Sequence, residues 1–144
     1  MELNTASQVI SFAREMEEQI ARLYEAMSGD EAAKETLTAL AAESRKNAKQ
    51  IERVYYEVIT DALEGCFAFR IDRDAYPVER LAHGLGNARL GLGEALAVEK
   101  KAQEFYSVAA QQSGALLADI PRLFTSMAKK REDRISKLKA MRSA

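Results

Sequence analysis

Residues 12–24 read FAREMEEQIARLY, and residues 94–106 read EALAVEKKAQEFY. At a shift of 82 positions both follow Ala-x-x-x-Glu-x-x-x-x-x-x-Tyr, so Glu17 falls on Glu99 and Tyr24 falls on Tyr106. Apolar residues flank each glutamate at spacings of three and four, which is typical of an amphipathic helix. The two stretches therefore predict two similar helices, each with a glutamate in the middle of its apolar face.

A second pair of helices repeats in the same way. At a shift of 87 positions, residues 37–51 fall on residues 124–138, which places Ser44 on Arg131 and Asn47 on Arg134. The apolar periodicity predicts helices over residues 5 to about 28, about 31 to 63, about 88 to 112 and about 119 to 141. Two repeated helical hairpins predict an all-α four-helix bundle, with a long crossover over residues 63–87.

Length and composition narrow the class of protein. The chain has 144 residues, which we expect to form a single domain over residues 1–144. With 21 basic and 22 acidic residues, the net charge of −1 argues against a nucleic-acid binder. The single cysteine and the absence of a signal-peptide pattern at the N-terminus predict a cytoplasmic location. No apolar run reaches about 18 residues, so no membrane span is expected.

Polar residues interrupt the apolar faces at mid-helix. Six positions lie on or beside these faces: Glu17, Ser44, Asn47, Glu99, Arg131 and Arg134. A charge buried without a partner is costly. We therefore expect the charged members of this set to pair with one another, to bind an ion, or to lie at the edge of a face.

The four helix sequences resemble the rubrerythrin branch of the ferritin-like superfamily. Residues 12–24 and 94–106 are similar to its helices with a single glutamate ligand, and LAAESRKNAKQI (40–51) and MAKKREDRISKL (127–138) are similar to its Leu-Ala-x-x-Glu-x-x-His helices. The resemblance covers nearly the whole chain and matches residues 63–87 only loosely. It implies a ferritin-like bundle and, for the family, two irons with peroxidase or iron-oxidation chemistry.

Four of the six metal-ligand positions of that pattern are substituted. Glu17 and Glu99 match the single glutamates, but Ser44, Asn47, Arg131 and Arg134 stand where the family has Glu-x-x-His pairs. Serine and asparagine are poor iron ligands, and guanidinium repels cations. We therefore expect no metal, no catalytic residues and no cofactor-binding residues, and a structural or binding protein that forms a homodimer or another homo-oligomer.

Charge balance suggests what replaces the metal. Two carboxylates and two guanidiniums are formally neutral, and arginine pairs well with carboxylates. We therefore predict that Arg131 and Arg134 pair with Glu17 and Glu99, and that Ser44 and Asn47 satisfy the remaining donors and acceptors. Tyr24 and Tyr106 are expected nearby in the core, with their hydroxyl groups bonded to carboxylates.

Two alternatives stay open. A rearranged carboxylate site that adds Glu43, Glu132 or Asp133 to the two glutamates would bind iron and support a di-iron oxidoreductase or peroxidase. The second alternative is a bundle that uses its arginines to hold a small anion. We do not expect Cys66 and His83 to share a metal site, because these residues lie 17 positions apart with no further ligand motif.

Overall fold

Four amphipathic helices make up most of the described chain. The computed structural model describes residues 2–27, 31–58, 69–78, 91–114 and 118–143. Its helices are α1 (Ala6–Ala26), α2 (Glu31–Val58), α3 (Leu92–Gln112) and α4 (Asp119–Ser143). The predicted all-α class is confirmed, and none of the helices in these ranges is long and apolar enough to cross a membrane.

The ion pairs and hydrogen bonds between helices define their directions. In the first hairpin, Arg14 pairs with Glu52 and Arg45 pairs with Glu18, so α1 and α2 are antiparallel. Between the hairpins, Arg134 bonds to Leu40 and Ser44 early in α2, whereas Lys130 bonds to Asn47 and Gln50 further along. Helices α2 and α4 are therefore antiparallel as well.

The two hairpins meet so that α1 packs beside α3 and α2 packs beside α4. Because α1 is antiparallel to α2, and α4 is antiparallel to both α2 and α3, helices α2 and α3 run in the same direction. The chain must therefore return along the length of the bundle between them. This is the geometric reason for the long connection that the sequence predicted.

Part of this connection lies across α1 and α3. Strand β1 (Glu2–Leu3) pairs antiparallel with strand β2 (Ile71–Asp72), beside the start of α1. After β2 comes a 3-10 turn (Arg73–Ala75), whose Arg73 guanidinium lies 5.5 Å from the ring centroid of Phe12. The ring of Tyr76 meets the edge of Phe105 at 5.6 Å. These contacts place residues 69–78 on the α1–α3 side of the bundle.

The helix ends agree with the predictions with small differences. Thr5 and Gln8 form a capping box at the start of α1, which ends at Ala26, two residues before the predicted end. Helix α4 begins at Asp119, the predicted start, since the Arg122 N–H bonds to the carbonyl of Ala118. The predicted helical segments 59–63 and 88–90 lie outside the described residues.

Candidate functional site

The six polar residues of the apolar faces are all buried in the bundle. They are Glu17, Ser44, Asn47, Glu99, Arg131 and Arg134, and each is at most 1% exposed. Each helix contributes at least one of them, because the periodicity that buries the apolar residues around them also turns these positions inward. Arg131 and Arg134 are among the largest fully buried side chains of the described residues.

Glu17 and Glu99 are held by tyrosines in a reciprocal arrangement. The hydroxyl of Tyr24 on α1 donates to Glu99 Oε2 on α3 at 2.5 Å. The hydroxyl of Tyr106 on α3 donates to Glu17 Oε2 on α1. The same two contacts thus occur twice, related by the 82-residue repeat. The repeat seen in the sequence is therefore a pseudo-twofold relation between α1 and α3 in the structure.

Arg131 lies between the two glutamates. Its Nη2 forms an ion pair and a hydrogen bond with Glu17 Oε2, and its Nη1 lies 3.3 Å from Glu99 Oε1. The Tyr106 ring centroid is 5.8 Å from the guanidinium carbon, a cation–π distance. One arginine thereby bridges both carboxylates, and the predicted pairing of Arg131 with glutamate is present.

Arg134 connects the same cluster to α2. Its Nη1 donates to Ser44 Oγ at 2.6 Å and lies 3.5 Å from Glu99 Oε2. Its Nε donates to Glu43 Oε1 at 3.1 Å, and its Nη2 donates to the Leu40 carbonyl at 3.2 Å. Ser44 accepts a hydrogen bond from an arginine as predicted. The role of Glu43 as an ion-pair partner was missed, although Glu43 was considered as a metal ligand.

Asn47 differs from the prediction. Its Oδ1 accepts from Lys130 Nζ at 3.1 Å, rather than from either buried arginine. Its Nδ2 has no hydrogen-bond partner among the described residues. The long lysine side chain reaches Asn47 from the neighbouring turn of α4. Asn47 therefore lies between the buried cluster and the outer side of α2 and α4.

Buried charges of opposite sign balance in the cluster. Two fully buried carboxylates face two buried guanidiniums, and Glu43 adds a third carboxylate at the rim with 35% side-chain exposure. Burial by itself would lower the pKa of Arg131, but the charges of Glu17 and Glu99 outweigh it and raise the pKa above its ordinary value. Arg131 therefore stays cationic at any pH at which the protein is folded.

The two buried tyrosines hold their protons strongly. Burial, followed by the nearby charge of Glu99, raises the pKa of Tyr24 well above its ordinary value. Burial, followed by the charge of Glu17, does the same to the pKa of Tyr106. Each hydroxyl therefore remains a hydrogen-bond donor to its carboxylate in the folded protein.

This protonation predicts a loss of stability at alkaline pH. Below a pH of about 10 both states keep the tyrosine protons. Above it only the unfolded state releases them, so the free energy of unfolding should fall by about 1.4 kcal/mol per pH unit for each of Tyr24 and Tyr106. Urea unfolding followed by circular dichroism at rising pH measures this slope.

Two variants show which tyrosines cause the slope. The double change Tyr24→Phe with Tyr106→Phe should flatten it. Tyr56→Phe, at a ring that is 71% exposed, should leave it unchanged. A wild-type slope in the buried double variant would contradict the assignment.

The centre does not fit two bound metal ions. The Arg131 guanidinium lies between the two glutamates that would be ligands, and the side chains at the other four positions of the pattern are serine, asparagine and two arginines. A guanidinium has no lone pair to offer a metal and repels it electrostatically. Within the described ranges, no group of three histidine, cysteine or acidic side chains is arranged to hold a metal ion.

The acidic residues of the alternative, rearranged carboxylate site lie at different places in the structure. Glu43 pairs with Arg134, Glu132 is exposed and lies 3.5 Å from Gln103 Nε2, and Asp133 is exposed beside α2. Glu17 and Glu99 are fully buried. Cys66 and His83 lie outside the described residues.

Comparison with known proteins identifies no family for this chain. No protein-family model, curated protein or solved structure matches the chain. What the protein does must therefore be argued from the arrangement of its own residues.

Proposed function

We propose that this chain is a ferritin-like four-helix bundle of the rubrerythrin type in which an arginine–glutamate cluster replaces the di-metal centre, and that it serves as a structural or binding protein without catalytic metal. The observation that carries this proposal is Arg131, which is buried between Glu17 and Glu99 and pairs with both.

The bundle topology supports the ferritin-like part of the proposal. Helices α2 and α3 run in the same direction, and bundles of the ferritin type have one long crossover connection. The reciprocal Tyr24–Glu99 and Tyr106–Glu17 contacts relate the two hairpins by a pseudo-twofold axis. A bundle that evolved around a symmetric centre would keep such a relation after the ligands themselves had changed.

Charge balance supports the proposal that the arginine–glutamate cluster replaces the di-metal centre. A centre with four carboxylates needs two divalent cations, whereas two carboxylates with two guanidiniums need none. Arg131 lies between the glutamates and supplies a hydrogen bond to Glu17 as well as charge to both carboxylates. The cation is thereby part of the chain, so the core no longer depends on a bound ion.

Anaerobic loading with ferrous iron tests this proposal. After desalting, elemental analysis should find far less than one iron per chain, and the melting temperature should not change. The variant Glu17→Gln with Glu99→Gln is the control, because any residual iron should be equally present in it. About two irons per chain, lost in the control, would overturn the proposal. That result would favour the alternative, an iron-handling protein or oxidoreductase with a rearranged carboxylate site.

A further inference from the structure

None of the described residues 69–78 contacts the side of the bundle formed by α2 and α4, whereas they contact the α1–α3 side. A cleft of about 270 Å³ lies there, which we call the α2–α4 cleft. Its lining side chains are Lys46, Lys130, Arg134, Lys137, Asn47 and the carboxylates of Glu43 and Asp133. Ligand pockets for drug-sized molecules usually have volumes of about 300–1,000 Å³, so this cleft suits a smaller ligand.

The cleft concentrates positive charge on a chain whose net charge is −1. Four cationic side chains face two carboxylates, and one of these carboxylates, Glu43, is already paired with Arg134. In the part of the chain that the structure describes, no carboxylate lies within ion-pair distance of Lys46, Lys130 or Lys137. Four cations against two carboxylates leave an excess of two positive charges around one cleft, which would attract an anion.

Asn47 provides a buried donor at the same place. It is 1% exposed and lines the cleft, and its Nδ2 has no hydrogen-bond partner among the described residues. A buried amide N–H without an acceptor costs free energy, and an acceptor on a ligand would remove this cost. The unpartnered donor is therefore an observation independent of the lysines, and it indicates a ligand with acceptor atoms.

Lys130 is positioned by neutral groups. Its Nζ donates to Asn47 Oδ1 at 3.1 Å and lies 3.5 Å from Gln50 Oε1. These two amide oxygens orient the ammonium group without neutralising it. An oriented and uncompensated cation is what an anion site requires, because the ligand then supplies the missing negative charge.

We propose that the α2–α4 cleft binds a small oxyanion that carries two negative charges, of the phosphate class, which accepts hydrogen bonds from the surrounding lysines beside the unpartnered amide of Asn47. This assignment deepens the binding role proposed above by naming a ligand class. The cleft shares Asn47 and Arg134 with the buried cluster, but Lys46, Lys130 and Lys137 contact neither Glu17 nor Glu99, so variants at these lysines let the two proposals fail separately.

Equilibrium dialysis with inorganic phosphate, above its second pKa, tests the assignment. Sodium chloride at matched ionic strength serves as the salt control. We expect saturable binding of about one phosphate per chain and a melting temperature that rises with phosphate but not with chloride. Succinate, a dianion of different shape, separates recognition of an oxyanion with tetrahedral geometry from recognition of charge alone, and we expect it to bind more weakly.

Paired variants locate the site. The change Lys46→Gln with Lys137→Gln removes two cations from the cleft and should weaken phosphate binding about tenfold or more, as expected for the loss of charge-assisted contacts. The change Lys100→Gln with Lys139→Gln alters the net charge equally at exposed lysines outside the cleft, and should leave binding unchanged.

Two results would overturn the proposal. One is equal behaviour in phosphate and in chloride, and the other is equal weakening in both pairs of lysine variants. No iron is present in this experiment, so its failure would leave the metal-loss proposal standing. Conversely, two irons per chain in the loading experiment would overturn the metal-loss proposal. Phosphate binding that depends on Lys46 and Lys137 would still support the phosphate site.

Discussion

Replacing Arg131 by methionine is expected to destabilise the folded chain by about 3–5 kcal/mol, because the change leaves a buried carboxylate without its cation. Among the described residues Arg131 is the only cation paired with Glu17, whereas Glu99 also pairs with Arg134. Glu17 is therefore the group that the change strands. Urea unfolding of the two proteins at neutral pH measures the difference.

A double-mutant cycle separates this pairing from a general loss of packing. Arg131→Met combined with Glu17→Gln should recover more than half of the loss, because the neutral amide no longer needs a counter-charge. Arg122→Met serves as the matched control on α4. That side chain is 75% exposed, and we expect a change within about 0.5 kcal/mol. Simple additivity of the two core substitutions would show that Arg131 and Glu17 are not coupled.

Restoring the missing ligands should restore metal binding. The four substitutions Ser44→Glu, Asn47→His, Arg131→Glu and Arg134→His recreate the pattern of two single glutamates and two Glu-x-x-His helices around Glu17 and Glu99. Four buried carboxylates repel one another without cations, so we expect a variant whose folding depends on metal. Bound ferrous iron should rise from a trace in the wild type to about two per chain.

The metal dependence of folding gives this experiment a readout besides stoichiometry. Circular dichroism should show a melting temperature that rises steeply with added ferrous or cobaltous ion, and cobalt bound at the site would add visible absorption. The same four substitutions together with Glu17→Gln and Glu99→Gln should abolish both effects. A four-substitution variant that folds with and without metal, and binds no more iron than the wild type, would contradict the ferritin-like geometry that we propose.

The internal repeat allowed much of the centre to be predicted from the sequence. A buried glutamate or arginine in the middle of an apolar helical face is costly without a partner, and the charge balance of two carboxylates with two guanidiniums predicted the pairing of Glu17, Glu99, Arg131 and Arg134. The same periodicity placed Tyr24 and Tyr106 in the core. Which carboxylate each hydroxyl bonds depends on how α1 and α3 pack against each other, and helical periodicity holds no information about that.

Other features depend on contacts that leave little trace in the sequence. Strands β1 and β2 have two residues each, too short for an alternating pattern, so their pairing was not predicted. Glu43 lies at the edge of the apolar face of α2. A carboxylate at such an edge is as common in contact with water as in an ion pair, so its pairing with Arg134 was not predicted. Lys130 reaches Asn47 through a long flexible side chain, which helix position alone does not fix.

The side of the bundle on which residues 69–78 lie could not be anticipated either. Residues 63–87 were recognised as a crossover because they join the two repeated hairpins, but a crossover can pass over either side of a bundle. The contact of Tyr76 with Phe105 and that of Arg73 with Phe12 show that residues 69–78 lie on the α1–α3 side. The lysines of the α2–α4 cleft therefore remain uncovered by this segment.

We propose that Arg131 occupies the place of the metal between Glu17 and Glu99. The most direct test of this proposal is X-ray diffraction at the iron absorption edge from crystals grown after anaerobic loading with ferrous iron. We predict continuous electron density for the Arg131 guanidinium between the two carboxylates and no anomalous peak there. An anomalous peak between Glu17 and Glu99, with the Arg131 side chain displaced from the centre, would contradict the account.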